Sequence, residues 1–400
     1  MVQRKEYLNK LIKWREKQVI KVVTGVRRCG KSTLFNLYAQ YLKQDGVSEE
    51  QIISINLENL EFEELLDYKN LYEYISDRLC KGKYTYVFID EVQECVGFEK
   101  VVDSLFIKEG VDVYITGSNA HMLSGELATL LSGRYVEISM LPFSFTEYCL
   151  TVEKGNVNEQ FNEYLKNGSF PYVAMLQNDN EAIREYIEGI YNTILVKDVA
   201  RRDGINDIAV LESIVKFLAS NIGSPVSVKK ISDTINSSGR KISVNTVDNY
   251  LRALTDSFIF YKVNRYDIRG RQYLKTLGKY YIVDTGLRDM LTSISSADIG
   301  HILENIVYLE LLRRGYKVNI GKLAEKEVDF VASNNEGLEY YQISATVLDE
   351  KTLARELAPL QKISDNYPKY LLTLDEIMPV ADYSGIKQRN VIDWLQDQTV

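Results

Sequence analysis

Two rhythms of apolar residues alternate through the first third of the chain. Short runs rich in β-branched and aromatic residues cover Gln18–Thr24, Tyr86–Ile89, Val111–Thr116 and Tyr135–Met140, while Thr33–Leu42 repeats its apolar positions at helical spacing. Short strands alternating with helices predict an α/β module. Beyond Met140 the rhythm slows: Thr151–Asn158 reads as a loop, and Glu159–Lys166 and Asn180–Arg201 read as amphipathic helices. Three short helices are expected at Leu211–Ile222, Ser227–Ile235 and Ser243–Leu254, followed by strand-like Ile259–Tyr266 and Tyr280–Asp284. The last third opens with a helix over Ile299–Arg314. It continues with strand-like Tyr316–Ile320, Glu327–Val331 and Tyr340–Ser344, with a turn at Asn334–Gly337. Four segments follow, at 1–148, 149–205, 206–292 and 293–400, in a chain too long for one hydrophobic core.

Composition changes this picture in one place. An apolar fraction of 45% and a charged fraction of 26% are those of an ordinary globular protein. No window approaches 18 apolar residues and Met1–Lys21 lacks the apolar stretch of a signal peptide, so no membrane span and a cytoplasmic location are expected. Cys29, Cys80, Cys95 and Cys149 show no short paired spacing, and His121 and His301 are the two histidines, which predicts neither a disulfide framework nor a zinc site. Tyrosine is abundant, 28 residues against 13 Phe, and such rings are expected at core edges with the hydroxyl in water. The net charge of −8 argues against a surface that coats nucleic acid. Yet Pro225–Met290 holds 12 Lys and Arg against 6 Asp and Glu, a local balance of +6.

Candidate chemistry sits where the strands end. The run Gln18–Thr24 leads into Gly25-Val26-Arg27-Arg28-Cys29-Gly30-Lys31-Ser32 and then, from Thr33, into a helix. That is the strand, glycine loop and helix order of a P-loop. Glycines at its ends let successive N–H groups face a phosphate, and the helix adds its positive end. Lys31 is expected to reach the β- and γ-phosphates, and the Ser32 hydroxyl to coordinate Mg²⁺. Tyr86–Ile89 delivers Asp90 to the metal, directly or through water, and places Glu91 to polarise an attacking water. After the third strand, Ser118 or Asn119 either touches the γ-phosphate or caps the next turn. Arg134 stands just before a strand, either reaching a neighbouring subunit's nucleotide or pairing on the surface.

The sequence GVRRCGKST, then YVFIDEVQ, YITGSN, LSGRY and LPFSFTEY, resembles a family of prokaryotic AAA+-type ATPases over nearly the whole chain. In that family the ATPase module is joined to a winged helix and a C-terminal domain of unknown function. The resemblance implies ATP as the nucleotide and assigns Lys31 and Ser32 to the Walker A contacts and Asp90 and Glu91 to Walker B. It makes Asn119 or Ser118 a sensor and Arg134 an arginine finger acting across a homo-oligomer interface. Arg27 and Arg28 are also typical of its loop. Glu159–Arg201 would form a small helical lid, and Gly168-Ser169-Phe170-Pro171 resembles the family's rigid bend.

Three helices and a hairpin within 206–292 make a winged helix-turn-helix, with Ser243 or Asn245 near the cap of its recognition helix. Asn245 is then placed to meet base edges of DNA. Lys229, Lys230, Arg240 and Lys241 before it, and Arg265, Arg269 and Arg271 in the wing, are candidates for phosphate contact. Winged helices also bind proteins, so the rival reading is an ATP-gated assembly module with negligible turnover and no nucleic-acid contact. In 293–400, Glu304, Asp329 and the Tyr340–Ser344 strand resemble the PD-(D/E)XK restriction-endonuclease outline. Gln342 and Ser344 stand where a metal-binding Glu and a lysine are wanted, so nuclease activity is not expected there, and a protein partner is an alternative role.

Overall fold

The computed structural model describes residues 2–120, 133–152, 155–176, 179–237, 239–292 and 298–397. His121 and Leu131–Ser132 of the LSGRY segment lie outside them. The chain divides into two compact units, Met1–Pro142 with Asp256–Phe258, and Phe143–Thr255 with Ile259–Val400.

In the first unit five parallel strands, β1 (Ile20–Thr24), β2 (Ile52–Asn56), β3 (Thr85–Asp90), β4 (Val111–Gly117) and β5 (Tyr135–Ser139), stand in the order β2-β3-β4-β1-β5. β1 and β3 are buried at every position because helices cover both faces. On one face Val22, Ile55, Ile89 and Ile115 pack with Leu71 and Ile75 of α3 (Tyr68–Ser76) and with Val101 and Leu105 of α4 (Phe98–Phe106). On the other, Phe35 and Tyr38 of α2 (Lys31–Gln44) meet Phe88 and Tyr114, with ring centroids 5.2 Å apart in the Phe35–Phe88 and Tyr38–Tyr114 pairs. Helix α1 (Lys5–Lys13) and strand β2 were not anticipated from the pattern.

Five tyrosines depart from the expectation of rings at core edges. Tyr38, Tyr86, Tyr114, Tyr281 and Tyr340 are all but fully buried, and their hydroxyls bond one another or carboxylates instead of water. The Tyr114 hydroxyl lies 3.1 Å from that of Tyr38 and donates to Asp112 Oδ2 at 2.6 Å. Asp112 is itself ion-paired with the fully buried Lys21 of β1.

The second unit begins with the helix Phe145–Cys149, closed at its start by a reciprocal Ser144–Glu147 capping box, inside the segment expected to end the ATPase core. Helices Val157–Asn167, Pro171–Met175 and Asn180–Thr193 follow, the last continuing as a π-helical stretch over Ile194–Arg201. The Gly168–Pro171 bend is anchored by buried Asp284, which accepts hydrogen bonds from Ser169 N (2.5 Å), Ser169 Oγ (2.9 Å) and Leu287 N (3.0 Å). A Cβ at Gly168 would lie 2.2 Å from Asp284 Oδ1.

Three helices, Ile208–Ser220, Val228–Ser237 and Val244–Asp256, precede a hairpin of antiparallel strands β6 (Phe260–Asp267) and β7 (Gln272–Ile282). This hairpin does not stand alone. β6 runs parallel to β8 (Lys317–Leu323), Arg265 opposite Ile320, so both hairpin strands join one eight-stranded sheet in the order β12-β13-β11-β10-β9-β8-β6-β7. The others are β9 (Lys326–Asn334), β10 (Gly337–Ile343), β11 (Lys369–Thr373), β12 (Ala381–Tyr383) and β13 (Ile386–Asn390). The helix Glu350–Gln361 packs Leu357 and Leu360 against Val328, Val331, Tyr340 and Leu371 of that sheet. Among the described residues no helix is long and apolar enough to cross a membrane.

Candidate nucleotide site

The loop Gly25–Gly30 turns between β1 and α2 because two of its residues take backbone angles that suit glycine. Gly30 has φ 104°, and at Gly25, with φ 152°, a Cβ would lie 2.1 Å from the Met140 carbonyl oxygen. Gly30 is the N-cap of α2 and no side chain caps that helix, so its first N–H groups are left to a ligand. Lys31 is buried, with Nζ 3.0 Å from Gly25 O, 3.4 Å from Val26 O and 3.3 Å from Glu91 Oε1. Burial works against its charge, but Glu91 and then Cys29 and Asp90 outweigh it and hold the Lys31 pKa above the ordinary lysine value.

Within the loop Val26 is buried, and Arg27 is directed to Glu58 at 2.9 Å. Arg28 is exposed in a left-handed conformation (φ 69°), and Ser32 is also exposed at the start of α2, with Thr33 half-buried beside it. Cys29 lies fully buried beneath the loop, where burial pushes its thiol pKa up.

Asp90 ends β3 and Glu91 follows in a left-handed turn (φ 52°). Asp90 is hydrogen-bonded by the Ser32 hydroxyl and by Thr116 Oγ1, the latter at 2.5 Å; burial nevertheless raises its pKa. Burial also works to raise the Glu91 pKa, yet Lys31 and the Gln93 amide, 2.6 Å from Oε2, bring it below the ordinary value. Thr116 at the end of β4 was missed from sequence. Its hydroxyl also accepts the Glu91 backbone N–H at 2.8 Å, so one side chain fixes the Asp90 carboxylate and the backbone from which the Glu91 side chain projects. The signal was present in the adjacent ends of two strands, with Ile89 opposite Ile115. Ser118 and Asn119 are buried just beyond β4.

A second residue was missed. Arg4, buried at 3% exposure, donates from Nη1 to the Cys29 carbonyl (3.0 Å) and from Nη2 to that of Leu141 (2.7 Å), tying the loop to the segment after β5. Arg134 lies elsewhere. It is exposed at the opposite end of the parallel sheet from the loop, since Tyr135 pairs with Ile20 and Ser139 with Thr24, and its guanidinium sits 5.4 Å from the Phe106 ring centroid.

Residues 17–149 match the AAA domain family, and residues 158–298 match a domain of unknown function, DUF8612. An uncharacterized protein of Haemophilus influenzae is 41% identical over 401 residues, covering 99% of this chain and 98% of its own. One of Methanocaldococcus jannaschii is 30% identical, covering 89% and 82%. Residues 17–149 thus belong to the AAA domain family, and the chain as a whole belongs to one family with these two uncharacterized proteins. Among solved structures, this chain resembles the Walker-type ATPase PabY2304 of Pyrococcus abyssi, with a TM-score of 0.53 at 18% identity over 73% of this chain and 96% of that one. That likeness is one of fold.

The candidate nucleic-acid residues of this chain fall into two groups. Lys229, Lys230, Arg240, Lys241, Asn245, Arg269 and Arg271 are exposed. Asn245 sits in the first turn of Val244–Asp256, whose start is capped by Ser243 Oγ accepting the Thr246 N–H at 3.1 Å. That helix buries Val247, Tyr250, Leu251 and Leu254 and presents Val244, Asn245, Asp248, Asn249 and Arg252 on its exposed face. Arg265 is different: it is half-buried within β6 and its Nη2 lies 2.9 Å from Glu327 Oε2, so its charge is engaged inside the sheet.

Proposed function

We propose that this protein binds ATP with Mg²⁺ at Gly25–Thr33, hydrolyses it, and works as an oligomeric switch or motor on DNA. The observation that carries the reading is the meeting of Lys31, Ser32, Asp90 and Glu91 at the ends of two strands of one parallel sheet. Ser32 and Asp90 offer the hard oxygen donors that suit Mg²⁺, which would neutralise phosphate charge there. Lys31 is held by two loop carbonyls and Glu91. Phosphate oxygens compete for the same ammonium, so nucleotide binding draws Lys31 away from Glu91. Relieved of the cation that lowers its pKa, Glu91 becomes the stronger base and is free to orient water. Asn119 or Ser118, both buried just beyond β4, makes the γ-phosphate contact in this reading. Arg134, remote from its own chain's loop, serves a neighbouring subunit in this reading.

DNA contact is assigned to the three helices and hairpin from Ile208 to Ile282, read as a winged helix. What supports it is that Lys229, Lys230, Arg240, Lys241, Arg269 and Arg271 are exposed, as are Val244 and Asn245 at the start of Val244–Asp256. Steady-state ATP hydrolysis tests the proposal across protein concentrations, with and without duplex DNA. Lys31→Ala and Glu91→Gln are expected to lose turnover by at least about a hundredfold, and Arg134→Ala likewise, with activity returning when Arg134→Ala and Glu91→Gln chains are mixed. Wild-type protein that shows no turnover at any concentration would favour the rival, an ATP-gated assembly module.

A further inference from the structure

The nuclease-like outline lacks a lysine on its own strands, and the fold brings one from the hairpin. Lys279 lies on β7 with its side chain 4% exposed. Its Nζ donates to Glu304 Oε1, on the helix Ile299–Arg313, at 2.8 Å, and lies 2.8 Å from Glu327 Oε1 on β9. The second oxygen of Glu327 faces Arg265 Nη2 at 2.9 Å. Tyr281, two residues along β7, donates its hydroxyl to Glu304 Oε1 as well. Two carboxylates therefore meet two fixed cations and a phenol.

We infer that Lys279 is the resident cation of this centre: its ammonium holds the space between Glu304 and Glu327, so the C-terminal sheet works without a metal ion and holds the hairpin as an integral part of itself. A divalent ion needs carboxylate oxygens that are not already taken by donors, and it is repelled by an ammonium fixed among its ligands. Glu304 Oε1 already accepts from both Lys279 and Tyr281. Gln342, where the outline wants a carboxylate, donates to Glu356 Oε2 at 2.8 Å, and the nearby Asp329 accepts the Ile343 N–H at 2.8 Å. Burial opposes the charge on Lys279, but Glu304, Asp329 and Glu327 raise its pKa above the ordinary lysine value, so the group stays an ammonium. Among the described residues no group of three or more His, Cys, Asp or Glu side chains is arranged to hold a metal ion.

The test is a Mn²⁺ titration followed by electron paramagnetic resonance on nucleotide-free full-length protein carrying Asp90→Asn, which removes the metal-binding carboxylate proposed for the nucleotide site. The parent and Lys279→Arg are expected to show no Mn²⁺ site that depends on Asp329. Lys279→Met is expected to gain one, at least about tenfold tighter than any residual binding and lost again when Asp329→Asn is added. Mn²⁺ binding by the parent that Asp329→Asn abolishes overturns the inference, as does a folded Lys279→Met chain with no new site. If Lys279→Met does not fold, Lys279→Gln takes its place, and the parent titration decides independently.

Discussion

At the scale of single residues, the nucleotide loop depends on a side chain far from it in sequence. Arg4 places a guanidinium between two backbone carbonyls, one in the loop and one after β5, and both bonds are buried. Hydrogen bonds from a charged donor contribute roughly 1.5–3 kcal/mol each, and an unsatisfied buried carbonyl adds to the loss. Arg4→Ala is therefore expected to weaken binding of a fluorescent ATP analogue by about tenfold or more. Arg4→Lys, which can reach one carbonyl but not fork between two, should recover part of it. Equal affinity in the wild type and both variants would remove Arg4 from the site. No motif marks this residue, because its role exists only once β5 and the loop have been brought beside the chain's start. Thr116 differs: it closes a strand next to β3, and strand-end alignment alone points to it.

At the scale of elements, the Gly168–Pro171 bend and Asp284 form one joint between the helix Val157–Asn167 and the end of β7. Gly168 has φ 81°, and an added Cβ would strike the carboxylate that receives the Ser169 N–H. Gly204→Ala offers a control, since Gly204 also has a positive φ but no atom within 4 Å of an added Cβ. Thermal unfolding should show Gly168→Ala destabilised by at least about 2 kcal/mol more than Gly204→Ala. Similar melting of the two variants would mean that the bend gives way without strain. The sequence announces a rigid bend here. The partner that makes it rigid lies 115 residues away and is supplied by the fold.

At the scale of the whole molecule, the charge that distinguishes Pro225–Met290 from the rest of an acidic chain separates into two kinds. Arg269 and Arg271 stand exposed at the hairpin turn, while Arg265 and Lys279 are engaged by Glu327 and Glu304. On the proposed reading, Arg269→Ala with Arg271→Ala lowers the slope of log affinity for duplex DNA against log salt by about 2. Arg265→Ala should leave that slope unchanged while lowering stability. A slope identical in the wild type and the double variant would take the turn out of any DNA contact.

The sequence alone determined the loop Gly25–Ser32, the strand delivering Asp90 and Glu91, and the three helices and two strands from Leu211 to Asp284, because these depend on local spacing and on short-range backbone preference. Tertiary structure decided which charges are available. Lys279 and Arg265 count as basic residues in a composition, yet parallel pairing of β6 with β8 sets them against carboxylates from β9 and a helix, and burial makes those pairings obligatory. Local pattern cannot carry that information, since each partner is chosen by a contact between segments distant in the chain.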